Sequence, residues 1–174
     1  MSKKVLIISS SPRKGGNSET LADEFARGVI ESGNYVEKIC LHGKKISFCI
    51  GCFACLDAHR CVIHDDADSI AQRMLISDVL VFATPVYYYS VSGQLKTMLD
   101  RANPLYGSDY AFRDIYLLAT AAEDEANTFE GTEKAVQGWI DCFEKAKLSG
   151  KIFAGGVNKI GEIKNHPALL EAYE

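Results

Sequence analysis

The chain has 174 residues, enough for one domain with a sizeable core, and 47% hydrophobic against 24% charged residues is an ordinary globular balance. A formal net charge of −4 argues against a nucleic-acid partner, which would want a basic stripe. No apolar run is long enough for a membrane, and six cysteines with no signal region ahead of the first strand read as a reduced, cytoplasmic chain.

Val5-Leu6-Ile7-Ile8 is the kind of unbroken apolar run that fills a strand buried on both faces. The helix that follows is expected to turn Leu21, Ala22, Phe25, Ala26, Val29 and Ile30 to one side. Between them, residues 9–20 read Ser-Ser-Ser-Pro-Arg-Lys-Gly-Gly-Asn-Ser-Glu-Thr. A loop joining a buried strand to a helix N-terminus aims unsatisfied N–H groups and the positive end of a dipole at one spot, which suits a phosphate. Ser10, Ser11, Ser18 and Thr20 offer hydroxyl donors, Asn17 a helix cap, Arg13 a mobile charge, and Gly15-Gly16 close backbone approach. Neither G-x-x-x-x-G-K-[ST] nor G-x-G-x-x-G is present, so the loop fits a terminal phosphomonoester such as that of FMN.

Gly33-Asn34 ends the first helix, and residues 35–41 alternate as a more exposed strand does. Residues 42–65 are irregular and carry four of the six cysteines; a connection that long is functional or is held together by something. A short helix over 66–75 follows, capped by Asp65 or Asp66. Residues 79–83 form a buried strand stopped by Thr84-Pro85, and the loop 86–90 leads into a helix over about 91–102. A strand at 115–120 is followed by a helix predicted over 130–147, with Ala135, Val136, Trp139, Ile140 and Phe143 inward. A short strand at 151–156 and a helix opened by His166-Pro167 complete the chain.

Strands alternating with helices predict a single α/β domain over 1–174, a flavodoxin-like three-layer sandwich with a five-stranded parallel sheet in order 2-1-3-4-5. Ligands of such sheets bind beyond the strand C-termini, where the loops 9–17, 84–90 and 120–124 converge. Tyr87, Tyr88 and Tyr89 offer flat surface there for an isoalloxazine ring.

The motif C-x2-C-x2-C-x5-C at Cys49, Cys52, Cys55 and Cys61 suits a cubane cluster better than a zinc ribbon, which wants two separated C-x2-C pairs. It departs from the bacterial ferredoxin run in its last gap and in Val62, which replaces the proline. Free or redox-active thiols, and zinc with His59 or His64, stay open as readings. Cys40 and Cys142 are expected as buried apolar thiols, and His42 and His166 at the surface.

Ser11-Pro12-Arg13 with Gly16-Asn17-Ser18, then Thr84-Pro85-Val86-Tyr87, and Ser92-Gly93-Gln94-Leu95-Lys96 with Asp100-Arg101 together resemble the NADPH-dependent FMN reductase family of flavodoxin-like proteins. The resemblance implies non-covalent FMN, with Ser11, Arg13, Asn17 and Ser18 at the phosphate and Pro85, Val86, Tyr87 and Tyr88 along the ring. Gly16, Thr84 and Ala121 complete the implied cofactor-binding set, and no catalytic side chain is required. It further implies NAD(P)H as electron donor, a small-molecule acceptor, and a homo-oligomer, dimer or tetramer. This chain departs from the family at Val86, where an acidic or polar residue is usual, and at Thr120-Ala121-Ala122, where glycines are. The cysteine run resembles the iron–sulfur flavoprotein branch, whose four cysteines hold a [4Fe–4S] cluster. That branch implies an alternative function, an electron carrier relaying electrons from ferredoxin through the cluster to FMN.

Overall fold

The computed structural model describes residues 2–125 and 127–174. Five strands, β1 (Lys4–Ser9), β2 (Tyr35–Cys40), β3 (Val79–Pro85), β4 (Asp114–Thr120) and β5 (Lys147–Ala154), make one sheet in the order β2-β1-β3-β4-β5. Every neighbouring pair is parallel, with Ile8 beside Phe82 and Phe82 beside Leu117 across the centre. The expected order therefore holds. The helices are α1 (Asn17–Glu31), α2 (Cys55–Ala58), α3 (Asp66–Leu75), α4 (Gly93–Arg101), α5 (Glu130–Ile140) and α6 (Pro167–Tyr173).

Successive side chains of a strand point to opposite faces, so a strand apolar throughout must be covered twice. Val5 and Ile7, with Val79 and Val81, pack on one face against Leu21 and Ala22 of α1 and Ala168 of α6. Leu6 and Ile8, with Leu80 and Phe82, pack on the other against α3, α4 and α5 through Ile70, Leu95 and Val136. β2 and β5 are the edges, and β5 alternates in exposure over its first six residues.

The α5–β5 boundary corrects the sequence reading. The helix stops at Ile140 instead of Lys147, and the chain descends through turns to a strand that begins at Lys147 instead of Lys151. Lys147, Ser149 and Lys151 are the exposed residues of an edge strand, and their polarity resembles a helix surface. The ladder shifts between Ile115 and Tyr116, and the Tyr116 ring lies where Gly150 would carry a Cβ, 2.9 Å away. Two further expectations fail: Ile30 is exposed although grouped with the inward face of α1, and Cys142 is exposed in the turn after α5. Cys40 is half-buried, its Sγ 3.4 Å from a Glu19 carboxylate oxygen.

Candidate functional site

The loop after β1 is built largely from its own hydroxyls. Ser10 Oγ donates to Ala83 O (3.1 Å), Ser11 Oγ donates to Arg13 O (3.0 Å) and accepts from Arg13 N, and Thr20 Oγ1 donates to Gly16 O (3.2 Å). Three of the four proposed hydroxyl donors are thus occupied in shaping the loop, and Ser18 remains. The Asn17 side chain does not cap the helix. It lies at the first helical position, donates to Lys159 O (3.0 Å) and accepts from Gly161 N (3.1 Å) and Ile163 N (3.4 Å). The cap residue is Gly16, with no side-chain cap.

That arrangement leaves backbone donors at the mouth of α1. Among the described residues the N–H groups of Asn17 and Ser18 have no backbone acceptor, and the first bond of the helix is Thr20 N to Gly16 O (3.0 Å). A Cβ on Gly16 would lie 2.8 Å from Ser11 Oγ and 3.0 Å from Arg13 O, so only glycine keeps this concavity open. The Arg13 guanidinium is held at the rim on Asn158 O (2.7 Å). Glu19 closes the turn by accepting from Gly15 N (2.7 Å); burial pushes its pKa up, but this bond, the Cys40 thiol and Lys38 outweigh that and hold it low.

The ring side is built from β3 and β4. Val86 N donates to Thr120 O (2.8 Å), and Tyr87 and Ser90 exchange backbone bonds around Tyr88 and Tyr89, whose φ angles are 48° and 59°. Two bulky residues in the left-handed region are strained, so the surroundings must hold the turn. Tyr89 Oη donates to Glu123 (2.8 Å), and the Tyr89 carbonyl lies 2.1 Å from where Gly131 would carry a Cβ. The third loop is fastened to the end of β5 by Ala121 N to Ala154 O (3.0 Å) and Val157 N to Ala121 O (2.8 Å).

Ser11, Arg13, Gly16, Asn17, Ser18, Pro85, Val86, Tyr87 and Ala121 line one cleft of about 240 Å³, where the strand C-termini of β1, β3 and β4 meet. Val157 and Asn158, absent from the sequence reading, complete its wall; the Gly155-Gly156 turn just after β5 is the one signal that pointed there. Val86 and Ala121 continue into an adjoining cleft of about 250 Å³ with Tyr88, Tyr89, Glu123 and Thr128. Thr84 lies outside both. It is fully buried, its Oγ1 donating to Pro85 O (2.9 Å) and accepting from Ser92 N (3.0 Å), which ties β3 to the start of α4. Backbone donors at a helix start, an open glycine concavity and an adjoining aromatic-walled cleft fit a phosphate joined to a flat ring.

The cysteine loop lies beside α4. Cys49, Cys52, Cys55 and Cys61 all line one cavity of about 390 Å³, together with Arg101, Asn103, Trp139 and Cys142. Cys49 and Cys52 are exposed, Cys61 is half-buried and Cys55 is buried. Among the described residues no three His, Cys, Asp or Glu side chains converge at metal-binding distance. His59 and His64 are exposed, and His64 approaches Asp68 (3.8 Å) rather than a thiol. Thus the donor set is the soft one a cluster requires and lines one cavity, without being drawn together.

A cleft at the switch point of a parallel 2-1-3-4-5 sheet, lined by the loop after the first strand, defines a flavodoxin-like protein. Residues 3–153 match the family described as NADPH-dependent FMN reductase, and the chain belongs to that family. It is 31% identical to an iron–sulfur flavoprotein of Methanosarcina thermophila, over 95% of this chain and 84% of the other. It is 32% identical to a Bacillus subtilis protein named as an NAD(P)H-dependent FMN-containing oxidoreductase, over 97% of this chain and 94% of the other. Against archaeal iron–sulfur flavoproteins matched at 41% identity, it spans about half of their length. An NAD(P)H:quinone oxidoreductase from Methanothermobacter marburgensis shares the fold, with a TM-score of 0.76 at 17% identity over 99% of this chain and 94% of that one. No helix among the described residues is long and apolar enough to cross a membrane.

Proposed function

We propose that the chain is an FMN-dependent oxidoreductase that takes electrons from NAD(P)H and delivers them to a small acceptor. Bound FMN supplies the redox chemistry, since a flavin exchanges electrons both in pairs and singly. The observation that carries this reading is the cleft itself, because the helix-start donors share it with Tyr87 and it adjoins a second cleft lined by Tyr88 and Tyr89. The N–H groups of Asn17 and Ser18, with the Ser18 hydroxyl, receive the phosphate. Arg13 leaves Asn158 O, an exposed contact it loses at little cost, to close over the dianion. Pro85, Val86, Tyr87 and Tyr88 border the ring, and Ala121 backs it. Thr84 supports these contacts from below and touches no ligand.

A second reading is favoured by one specific observation, the four cysteines on a single cavity. In that reading Cys49, Cys52, Cys55 and Cys61 hold a [4Fe–4S] cluster, which supplies one-electron transfer, and a ferredoxin is the donor. Both readings place the protein in the cytoplasm as a dimer or tetramer. The test is an ultraviolet–visible spectrum of anaerobically purified protein, with iron and acid-labile sulfide assayed on the same sample. Flavin bands with no iron support the NAD(P)H reductase; flavin bands with about four irons per chain support the relay. Absence of flavin at saturating FMN overturns both.

A further inference from the structure

All four cysteines of the motif lie between Ser47 and Ile63, and both ends of that segment reach one side chain. Arg101, in the last turn of α4, is 1% exposed, an unusual position for an arginine. Its Nη1 donates to Ser47 O (2.7 Å) and Asp65 Oδ2 (2.8 Å), and its Nη2 donates to Ile63 O (2.9 Å) and Asp65 Oδ1 (2.9 Å). Asp65 also accepts from Ser47 N (2.8 Å) and caps α3 by accepting from Ala67 N (3.1 Å). One guanidinium and one carboxylate therefore close the neck of the loop, two residues before Cys49 and two after Cys61. They do so inside an outer tie, in which Lys45 N donates to Asp66 Oδ2 (2.7 Å) and Asp66 N to Lys45 O (3.1 Å). The fifth N–H of the guanidinium, on Nε, is buried and has no partner among the described residues, and Arg101 lines the cysteine cavity.

A second donor comes from the turn just beyond. Asn103 Nδ2 donates to Cys55 Sγ (3.1 Å), the one buried sulfur of the four. Backbone adds a weaker contact, Ile63 N to Cys61 Sγ (3.5 Å). Hydrogen bonds to ligand sulfurs spread their negative charge and raise the potential of whatever they bind.

We propose that Arg101 and Asn103, which lie outside the cysteine motif, are the positioning residues of this loop, Arg101 closing its neck and Asn103 fixing the sulfur of Cys55. The loop is then held before any metal arrives, the Arg101 charge being balanced by Asp65, and a metal on Cys55 would meet one N–H···S bond. The effect on bound metal rests on the cluster reading, whereas the neck itself does not.

Hydrogen exchange on FMN-loaded, metal-free protein tests the neck alone. Arg101→Lys is expected to raise exchange at least ~10-fold across residues 48–62 while β1 and β3 stay protected, and Asn103→Leu to do so only around residues 55–59. After anaerobic reconstitution with iron and sulfide, Arg101→Lys is expected to retain less than half of the wild-type iron. Asn103→Leu is expected to be about tenfold harder to reduce, ~59 mV more negative for a one-electron couple. Unchanged exchange in both variants overturns the proposal, with or without iron. An unchanged potential in Asn103→Leu overturns the role of its bond to sulfur. Wild-type protein that takes up no iron but shows the exchange pattern supports the neck and overturns the cluster reading instead. Should Arg101→Lys fail to fold, Asp65→Asn, which leaves the guanidinium its two carbonyl acceptors, carries the exchange test.

Discussion

The cleft at the strand ends and the cysteine loop are organised by opposite means. The cleft inherits its shape from the sheet: the three loops leave β1, β3 and β4 at one edge, and backbone bonds such as Val86 N to Thr120 O fix them. The cysteine loop has no strand under it. Besides the local turns around α2 and one backbone bond, Asp66 N to Lys45 O, it is held by side chains, above all the Arg101–Asp65 pair, which joins parts of the chain 36 residues apart. The first region takes its place from fold topology and its detail from short hydroxyl bonds of Ser10, Ser11 and Thr20; the second is tied by a few long-range side chains.

That contrast can be broken most strongly at Gly16. Gly16→Val fills the concavity against Ser11 and Arg13, and FMN affinity is expected to fall about 100-fold, ~2.7 kcal/mol, in a flavin fluorescence titration. Exchange in residues 48–62 stays as in wild type. Asn17→Ala tests whether the cleft needs any side chain for stability. It leaves Gly161 N, Ile163 N and Lys159 O without their partner, and denaturant melts are expected to lose about 2 kcal/mol.

The cysteine loop is sharpened by acid. Burial alone would raise the pKa of Asp65, but the Arg101 hydrogen bonds and the N–H groups of Ser47 and Ala67 bring it down to about 2. A carboxylate with a depressed folded pKa stabilises above its unfolded value and loses that contribution as pH falls. The neck therefore contributes up to about 2 kcal/mol at neutral pH, lost between pH ~4 and ~2. Asp65→Asn is expected to flatten that part of the stability–pH profile measured by denaturant melts. The smallest effect belongs to Ser92→Ala, which removes the α4 cap on Leu95 N and a 2.9 Å bond to Ser10 Oγ under the cleft; it is expected to cost about 1 kcal/mol in the same assay.

How much of this was legible in the sequence follows the same division. The sheet order, the bounds of α3 and the convergence of three loops follow from apolar runs and helix periodicity, which are local signals. Asn17 was misread because an asparagine before a helical run looks like a cap, and nothing local reveals that its amide spans to residues 159–163. Thr84 stands beside the ring-side residues in sequence yet turns inward, a choice made by Ser92 eight positions later. Arg101 was visible only as part of a motif. By helix periodicity Arg101 falls beside Gln94 and Thr97, away from Leu95, Leu99 and Ala102, so no local sign showed that it had a buried partner.

The Arg101 suture has a consequence for how this region can vary. A chain segment tied at both ends to one point makes little demand on the length between the ties, since doubling a flexible loop costs only about 0.6 kcal/mol in closure entropy. The stretch between Ser47 and Ile63 is thus a cassette. Spacings other than C-x2-C-x2-C-x5-C, or a segment with no cysteines at all, are expected to fit the same neck, since its ties at Ser47 O and Ile63 O are backbone groups that any residue supplies.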